Sequence, residues 1–225
     1  MRGLIRLWEG NRPVTMSAPT LTPRLAAAVH DDDAGATGVL RQVLDGLLAL
    51  GEDPNQLRAT AGLLATRLPW CGPMWRVVRA AHAPDPWRAL RCLRDRLDVD
   101  AERTVATGVR LLTEQGCAVR AAPGSGLVAA ILAALPPPSR SEAVGLAGVD
   151  AIGPTTVLNI AGTHDLVRAV PTIIVATTVK LVPQEVFQTL GAAGFETVDL
   201  NLFAAVVLDG EVLTPSEAGR QAAGL

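Results

Sequence analysis

The order of two textures constrains this chain most. As far as Gln115 the apolar residues recur at three and four positions; after Gly116 they gather into short β-branched runs. Leu40, Val43, Leu44, Leu47 and Leu48, then Leu57, Ala61, Leu64, Ala65 and Leu68, fall on single helical faces. Asp53-Pro54 supplies an N-cap with proline at the first helical position, and Gly51 a stop for the preceding helix. Helices are expected over 73–82, 87–97 and 101–115. In the second half, Cys117–Ala121, Val144–Ile152, Thr172–Thr177 and Leu202–Leu208 read as buried strands. Helical stretches over 127–135, 159–169 and 184–193 separate them, an alternation that produces layered α/β structure. The expected fold is therefore α/β: a helical N-terminal region, then a trimmed Rossmann-like parallel sheet with flanking helices. Residues 1–23 read as a loose extension, 24–115 as the helical domain and 116–225 as the Rossmann-like domain.

With 225 residues, 49% of them hydrophobic and 19% charged, the chain can bury a core without staples. Its 20 basic and 22 acidic residues leave a net charge of -2, so no general field gathers a nucleic acid or an anionic membrane. Neither is expected as a partner. Cys71, Cys92 and Cys117 are widely spaced without a CxxC pair, which suits a reduced, cytoplasmic setting and offers no metal-ligand spacing. Arg2 and Arg6 lie in a start that breaks at Glu9-Gly10-Asn11-Arg12-Pro13 before any signal-peptide run, and Met16 is an alternative start. The arginines from Arg76 to Arg103, set against Asp85, Asp95, Asp98, Asp100 and Glu102, read as a solvated face.

Two segments carry potential chemistry. Gly124-Ser125-Gly126-Leu127-Val128-Ala129 has GxGxxA spacing between a strand and a helix, a turn able to aim backbone N–H groups at a phosphate. As a dinucleotide fingerprint it lacks the acidic residue at the end of a following apolar strand, since Glu142 leaves a proline-rich connector; a tight glycine turn is the plainer reading, and no cofactor is expected. Asp150 follows an apolar strand, where open sheets place their crevice, and Asn159 to Thr163 opens the next helix. A carboxylate there is either a proton-transfer group or a loop cap. His164 is the one histidine near this crevice.

These residues resemble a known family. His30-Asp31-Asp32-Asp33-Ala34-Gly35-Ala36-Thr37, Leu64 to Pro69 and Gly72-Pro73-Met74 are similar to the helical region of the translation initiation factor 2B alpha/beta/delta subunit family, which includes methylthioribose-1-phosphate and ribose-1,5-bisphosphate isomerases. Gly148-Val149-Asp150-Ala151-Ile152 resembles its G-A-D-x-I, Asn159 to Thr163 its N-K-x-G-T, Val170-Pro171 with Thr172 to Ala176 its next strand, Thr178-Val179-Lys180-Leu181 its S-x-K-F/L, and Thr214-Pro215 its closing S-P. The match runs from Asp31 to Glu217.

The resemblance implies an aldose-to-ketose phosphate site in which a cysteine and the G-A-D aspartate exchange protons. Asp150 takes the aspartate position and Asn159 the asparagine position, whereas Ile160 occupies that of the lysine and Arg120 to Gly126 contains no cysteine. A strand, helix and strand usual before the G-A-D strand are also missing. The resemblance therefore implies a non-catalytic protein with a regulatory or assembly role, binding a phosphorylated sugar or nucleotide through Gly124, Ser125, Gly126, Asn159, Gly162, Thr163 and Lys180. It implies a homodimer or a paralogous subunit as partner, with Leu202 to Leu208 continuing into the interface. The alternative is a divergent aldose-ketose isomerase using Asp150 with Ser125 or His164 as replacement acid.

Overall fold

The computed structural model describes residues 20–31 and 34–225. Most of the expected N-terminal extension, with both candidate starts, lies outside the described residues. The helical half comprises α1 (Pro23–Val29), α2 (Gly35–Leu48), α3 (Pro54–Arg67), α4 (Met74–Ala81) and α5 (Pro86–Gln115). Asp53 caps α3 as the sequence placed it, accepting from the N–H groups of Asn55 and Gln56; α2 ends at Leu48, three residues before Gly51 at φ +91°, and Gly116 ends α5 in the left-handed conformation. Leu40, Leu44, Leu57, Leu64, Leu90 and Leu97 fill a core without accessible surface.

The two helices expected over 87–97 and 101–115 are one. Nothing in Asp98-Val99-Asp100 breaks a helix, and α5 runs 30 residues, about 45 Å at 1.5 Å per residue. Leu90 and Leu97 pack in the helical core, Ala101 and Leu112 against the sheet.

The second half continues through β1 (Ala118–Ala121), α6 (Gly126–Ala134), β2 (Ala143–Ala147), β3 (Ala151–Ile152), β4 (Thr156–Ile160), α7 (Thr163–Ala169), β5 (Thr172–Ala176), α8 (Gln184–Phe187), β6 (Phe195–Asp199), β7 (Ala205–Leu208), β8 (Glu211–Leu213) and α9 (Pro215–Ala223). The main sheet has order β1-β2-β5-β7-β8, its first four strands parallel and β8 antiparallel to β7. Leu146, Ile173 and Val175 face α5 and α6, while Ile174, Ala176 and Val206 face the opposite layer, which includes α9. That layer also contains a small antiparallel sheet, β3-β4-β6. Both faces are covered, as the alternation predicted, but the strand order never reverses, so the crevice does not owe its place to a switch point.

Four details differ from the sequence reading. The run Val144–Ile152 is two strands separated by Gly148-Val149-Asp150. Asn159 and Ile160 end strand β4, and the helix after them begins only at Thr163, because β4 is drawn into register with β6, Asn159 opposite Glu196. The helix expected over 184–193 stops after one turn, before Gly191 at φ +151°. Finally, Val206, Val207 and Leu208 are buried between β5 and β8 within the subunit, so of the run expected at an interface only Leu202 offers a large exposed apolar side chain. Between α6 and β2 the chain passes directly through the proline-rich connector, as expected.

Candidate functional site

At the carboxyl ends of β1 and β2 three segments meet. The β1–α6 turn carries Gly124, Ser125 and Gly126. The Ser125 hydroxyl caps α6 by accepting from the Val128 N–H (3.4 Å), and its side chain fills the space left open by Gly148, where a Cβ would sit 2.3 Å from Ser125 Oγ. The second segment, the start of α2, was not assigned to the site from sequence. Gly35 adopts φ +56° and its backbone abuts the glycine turn so closely that a Cβ would lie 2.3 Å from the Gly124 carbonyl oxygen. Glycine meets both demands, the left-handed backbone and the missing side chain. The bend after β2 brings the third segment, with Asp150.

Ala34 to Thr37, Gly124 to Gly126, Gly148 to Asp150, Asn159 and Lys180 together line a crevice with about 10 Å³ of free volume, room for roughly one water. Asp150 is 8% exposed. Burial raises its carboxyl above the ordinary range; the Lys180 charge and the Ala36 N–H, which donates to the carboxylate, pull it back. Lys180 is the sole lysine of the chain and is 3% exposed; its Nζ donates to the Val149 carbonyl (2.6 Å), and burial lowers its affinity for the proton against the opposing pull of Asp150. Desolvation outweighs attraction for both groups. Asn159 donates through Nδ2 to Thr163 Oγ1 (2.8 Å), whose hydroxyl donates to the Ile160 carbonyl (3.0 Å).

Six of the residues expected to bind phosphate or carry protons (Gly124, Ser125, Gly126, Asp150, Asn159 and Lys180) therefore converge. Two do not: Thr163 supports Asn159 from behind, and Gly162, at φ +102°, opens the seven-residue α7 outside the crevice lining. His164 is also outside, its backbone N–H held by Glu196 (2.8 Å). Cys117 donates weakly to the Gln115 carbonyl and does not line the crevice. The thiol nearest in electrostatic terms is Cys71: wholly buried, it is pushed up to about 12 by burial first and then by Asp150, and it faces the helical core instead of the crevice. The contact of Gly72 N–H with the Asp150 carbonyl (3.2 Å) fixes that loop behind the aspartate. Among the described residues no three His, Cys, Asp or Glu side chains gather to hold a metal, and no helix is long and apolar enough to cross a membrane.

The crevice shares Ala34, Thr37 and Gly126 with a groove of about 1040 Å³ between α2, α5 and α6, lined by Ala101, Val105, Val109 and Leu127 and bearing Arg41, Arg94 and Asp98. Arg94 bonds to both Asp45 and Asp98, and Arg41 to Asp98, which these arginines hold below the usual carboxylate range despite the opposing effect of its burial. Thr37 stands at the junction; it is 8% exposed and its hydroxyl has no hydrogen-bond partner among the described residues.

The overall fold is shared with solved structures. Over 88% of this chain and 99% of the other, it superposes on the translation initiation factor eIF-2B of Pyrococcus horikoshii OT3 with a TM-score of 0.67 and 14% identity. The chain has the initiation factor 2B fold. The tetrameric eIF2B-beta2-delta2 complex of C. thermophilum matches with a TM-score of 0.59 at 12% identity, covering 88% of this chain and 92% of that one. The 5-methylthioribose 1-phosphate isomerase of Pyrococcus horikoshii OT3 matches with a TM-score of 0.53 at 12% identity, covering 88% and 86%. No family model and no curated protein matches the sequence.

Proposed function

We propose that this is a cytoplasmic, non-catalytic binding protein of the initiation factor 2B type, taking a phosphorylated sugar or nucleotide in a regulatory or assembly role. The observation that carries the reading is Thr37. A hydroxyl unpaired among the described residues, over nine-tenths buried, sits in the first turn of the 14-residue α2 and opposite the first turn of α6, where the crevice opens into the large groove. A buried polar group without a partner costs about 1–3 kcal/mol, and two helix N-termini offer the positive ends of their dipoles to an anion. A phosphate at this junction satisfies both, and its organic part extends along the groove.

Against turnover stand the crevice volume at Asp150, too small to admit a sugar carbon, the position of Ile160 where the isomerases have lysine, and the placement of His164 and Cys117 outside the crevice. The isomerase reading keeps one support, the raised carboxyl of Asp150, which suits proton exchange. Turnover of ribose 1,5-bisphosphate or methylthioribose 1-phosphate, abolished by Asp150→Asn, overturns the non-catalytic assignment.

Thr37→Val separates ligand binding from folding. The variant loses an unsatisfied hydroxyl, so without ligand it melts no lower than wild type; with ribose 1,5-bisphosphate, methylthioribose 1-phosphate or AMP it requires at least tenfold more ligand for the same thermal shift. Equal shifts in both proteins remove Thr37 from the site. The partner in this reading is a second copy or a paralogous subunit, checked for the first case by sedimentation at micromolar concentration, where a homodimer sediments at twice the monomer mass.

A further inference from the structure

A second charged cluster lies outside the crevice, between α4 and α5. Arg76 and Arg79 on α4 and Arg96 on α5 line a cavity of about 280 Å³ together with Ala80, Ala89 and Leu93. Every other arginine with an ion pair within 4 Å sits elsewhere: Arg24 and Arg94 on Asp45, Arg41 on Asp98, Arg91 on Asp95, Arg110 on Glu114. Arg76 and Arg79 form none among the described residues, and Arg96 reaches only Asp100, at 3.8 Å.

Arg76 is not a solvated surface residue, as the sequence suggested for this stretch. Its guanidinium lies 4.8 Å from the Trp75 ring centre, Nη2 donates to the Thr178 carbonyl (3.2 Å), and Nε is buried with no acceptor. Arg79 shares the same ring at 5.1 Å. Burial, then the charges of Arg79 and Arg96, depress the proton affinity of Arg76. The facing carboxylate, Asp209 on the β7–β8 turn, is already committed, accepting from Thr178 N–H (2.9 Å) and Thr178 Oγ1–H (2.5 Å). Three cations thus converge on one cavity with a buried donor unpaired among the described residues, Asp209 held by Thr178 and Asp100 meeting Arg96 only at 3.8 Å.

We propose that this cavity is an anion site for a diphosphate group. Guanidinium forks pair two by two with phosphate oxygens, and a diphosphate carries enough charge to answer three of them, where a single carboxylate leaves two cations opposed. The site is separate from the crevice and does not depend on what the crevice binds.

Titration calorimetry of the full chain with inorganic pyrophosphate at constant ionic strength tests it. Wild type binds saturably; Arg79→Gln/Arg96→Gln weakens that binding at least tenfold, whereas Arg91→Gln, on an arginine paired with Asp95, leaves it intact. Because both substituted arginines are exposed, the double variant keeps the wild-type far-ultraviolet circular dichroism at the assay temperature, which separates lost binding from lost fold. Replacing pyrophosphate by ADP distinguishes the source: binding at least as tight assigns a nucleoside diphosphate, weaker binding the inorganic anion. Absence of saturable binding, or binding that survives the double substitution, overturns the proposal.

Discussion

Lys180→Met lowers unfolding stability by about 3 kcal/mol at neutral pH, the scale expected when one member of a buried charged pair is removed and the other left without compensation. The Val149 carbonyl loses its donor at the same time. The pH dependence identifies the cause. Without Lys180 the carboxyl of Asp150 rises further above its unfolded value of about 3.9. A carboxyl raised on folding subtracts nothing below that value, where both states are protonated, and subtracts more as pH climbs until the folded carboxyl ionises. The gap between variant and wild type is therefore narrow near pH 4 and wide near pH 7. It does not close at high pH: burial makes the folded ammonium give up its proton below the ordinary lysine range, so the unfolded chain there holds more protons and the wild type gains stability as pH climbs. Urea unfolding across pH 4–9 measures this. The double variant Asp150→Asn/Lys180→Met regains most of the loss. A cost that is the same at pH 4.5 and pH 8 means that Lys180 acts by packing alone.

The second large effect falls on Gly35. Gly35→Ala places a methyl group in the left-handed region, about 1–2 kcal/mol, and drives it into the Gly124 carbonyl, an overpacking of about 1–3 kcal/mol. Gly51→Ala is the control, because Gly51 has φ +91° with nothing within 4 Å of its Cβ position. It shows the backbone cost alone. Chemical denaturation of the two variants gives the contact energy by difference. Equal losses mean that the close approach of α2 to the glycine turn has no energetic weight, and with it goes the case for α2 as a wall of the crevice.

The parts legible in the sequence depend on local chemistry. Asp53-Pro54 caps α3 because capping is decided within four residues. Asp150 and Lys180 were singled out by a strand-end position and by resemblance, and the fold brings them to one crevice. What stayed hidden depends on distant partners. Asn159 is on a strand because β6 pairs with it, and β6, Phe195–Asp199, is half-exposed and too mixed in character to announce a strand. The start of α2 joins the crevice through a glycine-to-glycine contact across 89 residues, and single-residue motifs carry no signal of such a meeting. Arg76 reads as surface because its neighbours in sequence are charged, whereas Thr178, which draws it inward, lies a hundred residues on.

The uninterrupted α5 changes what a boundary means in this chain. Composition shifts at Gly116, yet the helix before it has already supplied Ala101 and Leu112 to the sheet's core, and Thr104 Oγ1 bonds to the Ala176 carbonyl at 3.2 Å. Gly108 lets α6 approach until Ile131 occupies the space of its missing side chain. A chain severed between Gln115 and Gly116 would strip one wall from the sheet and leave an apolar helical face in water on the other fragment. The two textures of the sequence are thus packed against each other across that boundary, spliced by a single rod.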